Sequence, residues 1–441
     1  MKKITSMVLM AMISCSFLFS VGAFSDVKAQ PRAPHPPAAN SGSDEVLRND
    51  PGLKSKEVSV EVNANKNGEV YLDNTSRSIE IKTWDEPKVK VTTTIYYEGD
   101  ANKLSDEEWF EKLNLSVKTL GSSVRIKSGT VSSGGSYEVL GHSFSWSSGG
   151  SGSGVAIFNS DGETIRTKGN TKRYVTICVP KEVKLNVESK YADITISTNL
   201  NKLVADITNG NLETQDIKTF SLRSKYANVA TGDLQTGEIE FINGRFSTKD
   251  VEDLDIDTKY STIEIASAEK INLVSTNDEY ELDEVGSLQG RKSYGNLRIA
   301  KLNKSLELDG TNADLKIKNI SASLNNIKLD NKYADIRLPL RNLKSYTVNY
   351  VGPYSTIYSN FEKKPYTGGN MSGNNSSNGK KGDLVTVKKL RIMKDGKEEE
   401  QIITENISGS GSPDDMFSAT VGDGKGALIN MKCQNCTVDF K

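Results

Sequence analysis

Apolar and polar residues alternate along most of this chain in short runs, and the runs recur with a period near 17. The period is marked by Tyr191, Asn209, Tyr226, Asn243, Tyr260, Asn277, Tyr294, Asn312, Tyr333 and Tyr354, at steps of 18, 17, 17, 17, 17, 17, 18, 21 and 21 residues. Three residues after each marker stands an apolar or aromatic residue: Ile194, Leu212, Val229, Phe246, Ile263, Tyr280, Leu297, Leu315, Ile336 and Ile357. Eight residues after come Ile217, Leu234, Val251, Ala268, Val285, Leu302 and Ile320. Eleven and thirteen after come pairs such as Phe220 with Leu222, Leu254 with Ile256, and Ile271 with Leu273.

A period of 2 puts alternate side chains on one face of a strand, and none of these columns follows the 3.6-residue spacing of a helix. A unit this short cannot bury its own apolar face, so it is expected to stack on its neighbours. The repeat predicts an all-β fold, a β-solenoid of about ten turns spaced ~4.8 Å apart, roughly 45–50 Å along the stack. Triangular and flatter two-sheet coils both fit the columns. A sandwich of hairpins is the competing all-β arrangement.

Interruptions punctuate the repeat. Val70, Leu72, Ile79, Ile81, Trp84, Val89 and Val91 predict an earlier turn of the same style. An insertion at about 98–172 follows, with one short helix: Ser105 and Glu108 form a capping box, and Leu104 staples Trp109, beside Phe110 and Leu113. Residues 128–154, rich in Ser and Gly, are expected to form a loop. A second insertion, 361–424, opens with the Asn/Gly/Ser tract 368–379. It continues as a hairpin from Leu384 to Ile392, with a turn at Asp395-Gly396 and a return through Ile402 and Ile403. Residues 425–441 carry Asn435 and Val438 in marker register and are expected to close the stack.

The beginning of the chain reads differently. Lys2-Lys3, an apolar stretch from Met7 to Phe24 and Val27-Lys28-Ala29 have the order of a secretory signal peptide over residues 1–29. Cys15 lies in a poor lipidation context. A Pro-rich linker, 30–52, follows with Pro31, Pro34, Pro36, Pro37 and Pro51. The solenoid is expected over 53–360. No second apolar stretch is long enough for a membrane span, so no span is expected in the mature chain.

Composition narrows the chemistry. Formal charge is −1, from 56 Lys+Arg and 57 Asp+Glu. Removal of the signal takes Lys2, Lys3, Lys28 and Asp26 and leaves 53 against 56, or −3. A nucleic-acid binder needs an excess of base, so no nucleic-acid partner is expected. The two histidines, His35 and His142, leave little room for zinc, haem or His-based triad chemistry. The mature chain keeps an odd number of cysteines, Cys178, Cys433 and Cys436, so they build no general disulfide framework.

The opening Gly68-Glu69-Val70-Tyr71-Leu72, then Ser78-Ile79-Glu80-Ile81 with Trp84-Asp85, and the turns Tyr191-Ala192-Asp193-Ile194-Thr195-Ile196 and Tyr333-Ala334-Asp335-Ile336 resemble the bacterial putative-adhesin domain family. A closing apolar turn near the C-terminus matches too. The resemblance spans most of residues 57–360 plus 425–440. It implies an exported β-solenoid domain of uncharacterised function, and it carries no catalytic residues across.

The most site-like feature is the column Tyr191, Tyr226, Tyr260, Tyr294, Tyr333 and Tyr354. Such rings could stack on sugars while the intervening Asn amides bond hydroxyls. The bland alternative is a structural ladder whose rings are partly buried by adjacent rungs, and repetition along the whole stack favours it. Cys433-Gln434-Asn435-Cys436 lacks the βαβ context of a redox motif, so a buried thiol or a local disulfide is expected, with Cys433 facing the core and Cys436 in a corner. Asn159-Ser160-Asp161-Gly162 departs from a calcium loop at Ile157 and Lys168 and reads as a turn. A parallel-β-helix carbohydrate lyase would need clustered carboxylates; Asp193, Asp314 and Asp335 share a column beside Arg337, but their corner position favours turn capping.

The expected function is an exported, non-enzymatic, adhesin-like protein of the bacterial envelope or cell surface. Its place would be periplasmic, outer-membrane-associated or surface-exposed, with a glycan or an envelope protein as partner. The alternatives are an envelope accessory protein docking a membrane partner and, third, the lyase. No catalytic, metal or cofactor residues are assigned, and no cofactor is expected.

Overall fold

The computed structural model describes residues 52–99, 104–129, 134–139, 142–147, 154–159, 161–169, 174–365, 384–394, 397–407 and 416–441. All of them lie in one compact unit, Ser43–Lys441. Those residues are nearly all β, in a long unclosed sheet with a single α-helix, Asp106–Lys112. None of the described helices is long and apolar enough to cross a membrane. The signal, the Pro-rich linker, the tract 368–379 and the turn Asp395-Gly396 lie outside the described residues.

Successive repeat units pair in parallel, whereas hairpins of a sandwich would pair them antiparallel. Leu185 opposes Leu203, Leu203 opposes Phe220 and Leu222 opposes Ile239. Ile263 then opposes Tyr280, and Leu306 opposes Ile327. The ladder runs unbroken over Leu234–Thr276 and again over Glu279–Ile320, passing through the corners rather than stopping at them. Counted from a marker, positions +1, +3 and +5, then +8, then +11, +13 and +15 face inward. In the rung after Tyr260 these are Ser261, Ile263, Ile265, Ala268, Ile271, Leu273 and Ser275, all buried. The sequence columns at +8, +11 and +13 are buried throughout, and the +3 column is buried except for half-buried Ile357.

The first rung, Glu69–Thr75 with Ser78–Trp84, pairs in parallel with Lys184–Lys190 and Asp193–Ile196, as its apolar pattern predicts. Val89 and Val91 depart from that pattern. They belong to Lys88–Tyr97, which turns back antiparallel to Lys54–Asn63 and Tyr174–Pro180. The helix follows, and its capping box forms as predicted. Ser105 Oγ accepts from the Glu108 amide at 3.2 Å while the Ser105 amide donates to Glu108 Oε2 at 2.7 Å. The open end of a stacked core has to be covered. Here Trp109, Phe110 and Leu113 cover it, with Trp109 edge-on to Phe158 at 5.2 Å. Arg77, also buried, donates to the Leu113 carbonyl at the helix C-terminus.

The other end differs from expectation. The last strand pair, Ala427–Gln434 and Thr437–Asp439, does not close the stack. It slots between Asn326–Lys332 with Asp335–Arg337 on one side and Tyr346–Val351 with Thr356–Tyr358 on the other. Met416–Val421 then covers Tyr346–Val351 antiparallel. An aromatic cluster seals this end, with Tyr350 stacked on Phe417 at 5.2 Å and Phe361 against Phe440 at 5.4 Å.

The Ser/Gly stretch holds another departure. Gly134–Val139 and His142–Ser147 pair antiparallel, and Gly154–Phe158 joins the main sheet. The alternation Ser136-Tyr137-Glu138-Val139 and Ser143-Phe144-Ser145-Trp146 supplies a strand period that glycine and serine content had masked. The second hairpin, Leu384–Lys394 with Lys397–Ile407, forms where predicted.

Candidate functional site

Each unit must turn a corner between its +15 and +1 positions, and one left-handed residue does it. Every marker has positive φ: Tyr191 57°, Tyr226 54°, Tyr260 56°, Tyr294 63°, Tyr333 56° and Tyr354 59°, with Asn209, Asn243, Asn277, Asn312 and Asn435 between 50° and 60°. Asn is among the non-glycine residues most often found in this region; a bulky side chain pays about 1–2 kcal/mol there. The ladder still passes the corner: the Tyr191 amide donates to the Thr208 carbonyl at 3.0 Å, and the Asn209 amide to Lys225 at 3.0 Å. Chains approach closely beside it. A Cβ on Gly210 would sit 2.1 Å from the Ala192 carbonyl oxygen, so that corner takes glycine.

Spatial order sharpens the column. Along the chain Tyr333 is followed by Tyr354, which breaks the Tyr/Asn alternation. In space the Tyr333 amide donates to the Gln434 carbonyl, and the Asn435 amide to that of Pro353. Asn435 therefore sits between the two tyrosines. The sequence of corners becomes Ser76, Tyr191, Asn209, Tyr226, Asn243, Tyr260, Asn277, Tyr294, Asn312, Tyr333, Asn435, Tyr354, a strict alternation after the first. Tyrosines thus recur about 9.6 Å apart, every second rung.

The six rings are 52–80% exposed. A packed ladder is expected to cover such rings in part, and more than half of each residue stays open to solvent. Left-handed backbone swings the Cβ out of the pleat, so the ring leaves the sheet surface instead of lying along it. A notch of about 450 Å³ runs over the corners from Ser76 to Tyr226, lined among others by Tyr191, Asp193, Asn209, Asn211 and Asn228. The side amides of the five marker asparagines make no hydrogen bond to other described residues.

A polar row runs behind seven of the twelve corners, two residues before the marker: Asn74, Ser189, Ser224, Thr258, Ser275, Lys292 and Asn331. Asn74 Nδ2 donates to the Arg77 carbonyl at 2.8 Å, and Asn331 Nδ2 to that of Ala313 at 2.9 Å. Lys292 Nζ does the same to the Asp278 carbonyl at 2.7 Å and also donates to Ser275 Oγ at 3.1 Å. These inner groups donate to the carbonyl of the residue just after a corner marker, which gives each a partner inside the core. Asp278, itself buried, accepts from Thr258 Oγ1, the Ser261 amide and Ser275 Oγ, each at 2.7 Å. Burial holds the Lys292 ammonium down to about 8, although the Asp278 and Glu279 charges pull it upward. It also pushes the Tyr280 phenol well above its ordinary range. The sequence carried this row as Ser189, Ser224, Thr258, Ser275 and Lys292 at inward positions, a signal hidden by the expectation of an apolar core.

Other candidates resolve into scaffold. Cys433 and Cys436 form a disulfide, with Cys433 in the core and Cys436 buried at the corner just after Asn435, as expected. Asn159 Oδ1 accepts from the Asp161 and Glu163 amides at 3.0 and 2.8 Å, a turn, as predicted. Asp193 accepts from Asn211 Nδ2 at 2.7 Å, and Asp314 from the Asp335 amide at 2.8 Å. These bonds run along the stack between rungs, so the carboxylates serve inter-rung ladders rather than the turn capping expected of them.

The strain at the corners makes a test. Changing Tyr260 to Asn is expected to raise stability by about 1 kcal/mol, because Asn adopts the left-handed region more cheaply and no packed ring is lost. Urea unfolding measures it; a loss above 1 kcal/mol would mean the ring packs on its neighbours after all.

No protein-family model matches the chain, and no curated protein matches it. Solved structures do. A putative adhesin from Parabacteroides merdae is 11% identical over 64% of this chain and 97% of its own, with a TM-score of 0.30. A putative adhesin from Parabacteroides distasonis is 14% identical over 64% and 96%, with a TM-score of 0.31. A putative lipid binding protein from the same species is 12% identical over 63% and 94%, with a TM-score of 0.27. Proteins named as putative adhesins are therefore among the structural neighbours of this chain, at a distance where its own residues have to carry any functional argument.

Proposed function

We propose that the protein is an exported, non-enzymatic β-solenoid of about ten turns with a 17-residue repeat, acting as an adhesin-like component of the bacterial envelope or cell surface. Its working face is the Tyr/Asn corner row, which binds an extended polymer. The observation that carries this is six exposed tyrosines held in a backbone conformation that penalises them, at positions where asparagine does the same structural job. Strain retained without a packing return points to function. Export is supported by the signal-like residues 1–29 and by the disulfide, which suits an oxidising compartment. The non-enzymatic reading is supported by the former lyase candidates: Asp193 lies seven rungs from Asp314, roughly 34 Å away at the rung spacing, so the three carboxylates do not form one cluster, and Asp314 is engaged by the Asp335 amide.

The domain plan that goes with it has a Pro-rich linker at 30–52, the solenoid at 53–360, and insertions at about 98–172 and 361–424. Residues 425–441 supply a rung. The test is the triple variant Tyr226→Ala, Tyr260→Ala, Tyr294→Ala in the mature chain, read by thermal melting and by co-sedimentation with insoluble polysaccharides and bacterial cell walls. Stability is expected to stay within about 1 kcal/mol while retention falls cumulatively with each ring, since a polymer engages several rungs at once. A triple variant that is retained like the parent, or a parent retained by nothing, defeats the proposal.

A further inference from the structure

Resting on the polymer-binding reading, we infer that the row reads an acidic glycan with a two-sugar repeat, in which one sugar carries a carboxylate and the next is neutral. The residue before each corner follows the same alternation on nine of the eleven Tyr and Asn rungs. Rungs with Tyr191, Tyr226, Tyr260 and Tyr333 carry Lys190, Lys225, Lys259 and Lys332 there. Rungs with Asn209, Asn243, Asn277, Asn312 and Asn435 carry Thr208, Ile242, Thr276, Thr311 and Gln434, none of them charged. Cross-rung pairing puts these residues in one column: Lys190 opposes Thr208, Thr208 opposes Lys225, and Lys225 opposes Ile242. Further along, Lys332 opposes Gln434. Ser293 and Pro353 are the exceptions, on the rungs of Tyr294 and Tyr354.

Four of the six tyrosine rungs thus offer an ammonium beside an exposed ring, and the asparagine rungs between offer an amide with no hydrogen bond to other described residues. Lys190 is paired with Glu188 at 2.7 Å, while Lys225, Lys259 and Lys332 have no ion pair within 4.0 Å among the described residues. An extended β-linked sugar chain turns over from one sugar to the next, so equivalent faces and substituents recur every second sugar, at a length close to two rungs. The ring meets a sugar face, the lysine meets that sugar's carboxylate, and the amide meets hydroxyl or acetamido groups of the sugar between.

Charge around the strip argues against a denser polyanion. Two residues before that column the charge is mixed, with Glu188, Asp206, Glu240, Asp257, Asp309 and Asp330 alongside Arg223, Arg291 and Lys432. The carboxylates outnumber the bases two to one, which disfavours an anion that recurs at every rung, nucleic acid and polyuronate alike. A proline-rich polypeptide in a polyproline helix repeats at about 9.3 Å, near the two-rung spacing, but leaves the lysines without a counter-charge.

The experiment titrates the mature chain with hyaluronan oligosaccharides, in which glucuronate alternates with N-acetylglucosamine. Chito-oligosaccharides, polygalacturonate and poly-L-proline are run alongside. Hyaluronan oligosaccharides are expected to bind tightest, with affinity growing in two-sugar steps and falling with salt. The double variant Lys225→Gln, Lys259→Gln is expected to lose about ten-fold in that affinity and its salt dependence, on the scale of two exposed ion pairs, with an unchanged melting curve. Equal binding of neutral chito-oligosaccharides, insensitive to the lysine changes, overturns the inference but leaves the polymer-binding row standing. Preference for polygalacturonate or poly-L-proline does the same. No binding to any of the four, together with no retention on polysaccharide or cell wall, overturns both.

Discussion

Replacing Ile263 by Asp is expected to cost about 4 kcal/mol, while Thr262→Asp, one residue away, leaves stability nearly unchanged. Ile263 is fully buried, in the +3 column between Phe246 and Tyr280 of the neighbouring rungs. A carboxylate there has neither a cation nor water to receive it and must either stay neutral or open the rung. Thr262 faces outward in the column between Arg245 and Glu279, where an added charge stays solvated. Urea unfolding of the two variants and the parent decides the matter. Similar losses at both positions would show that the inward and outward parities are misassigned.

The second large effect is a pH dependence centred on Lys292. This side chain is fully buried. Its ammonium faces Ser275 and the Asp278 carbonyl, sits 5.2 Å from the centre of the Tyr280 ring, and feels the Asp278 and Glu279 charges. Burial dominates and holds it down to about 8, whereas a lysine in the unfolded chain titrates near 10.4. Between those two values the unfolded chain binds the extra proton, so stability should rise with pH across the window and stay at its lower level below about 8. The full span corresponds to about 3 kcal/mol. Lys292→Met removes the titrating group while leaving the surface lysines and the rest of the chain to titrate as before. Unfolding free energies of parent and variant at several pH values from 7 to 10.5 give the comparison. The parent is expected to gain on the variant as pH rises; parallel curves would mean that Lys292 titrates like an exposed lysine.

Inward columns at +3, +8, +11 and +13 could be read from the sequence because strand parity is local. A residue's face follows from its neighbours two positions away and needs no knowledge of the partner strand. The Ser105–Glu108 capping box and the 384–407 hairpin were legible for the same reason, each being settled within a few residues. The lysines before the tyrosines were equally visible as Lys-Tyr pairs. They went unread because their meaning depends on which rungs are neighbours.

Rung order is where local reading stopped. Nothing near Asn435 says that it belongs between Tyr333 and Tyr354, since the entropy of closing a loop grows only slowly with its length, and a strand some 80 residues away can enter the stack at modest extra cost. That insertion is what makes the Tyr/Asn alternation unbroken. Exposure of the rings was likewise undecided by periodicity, because the same spacing serves a packed ladder and a projecting row; the tertiary structure leaves more than half of each tyrosine open. The inner polar row needed the corner too, since Lys292 and Asn331 are tolerated in the core only where corner carbonyls are there to receive them. The amino-acid sequence by itself thus determined which face each residue takes and how often the pattern repeats, through contacts a few residues long. The tertiary structure alone decided which rungs are adjacent and what the corners expose, because those depend on backbone partners that lie tens of residues away.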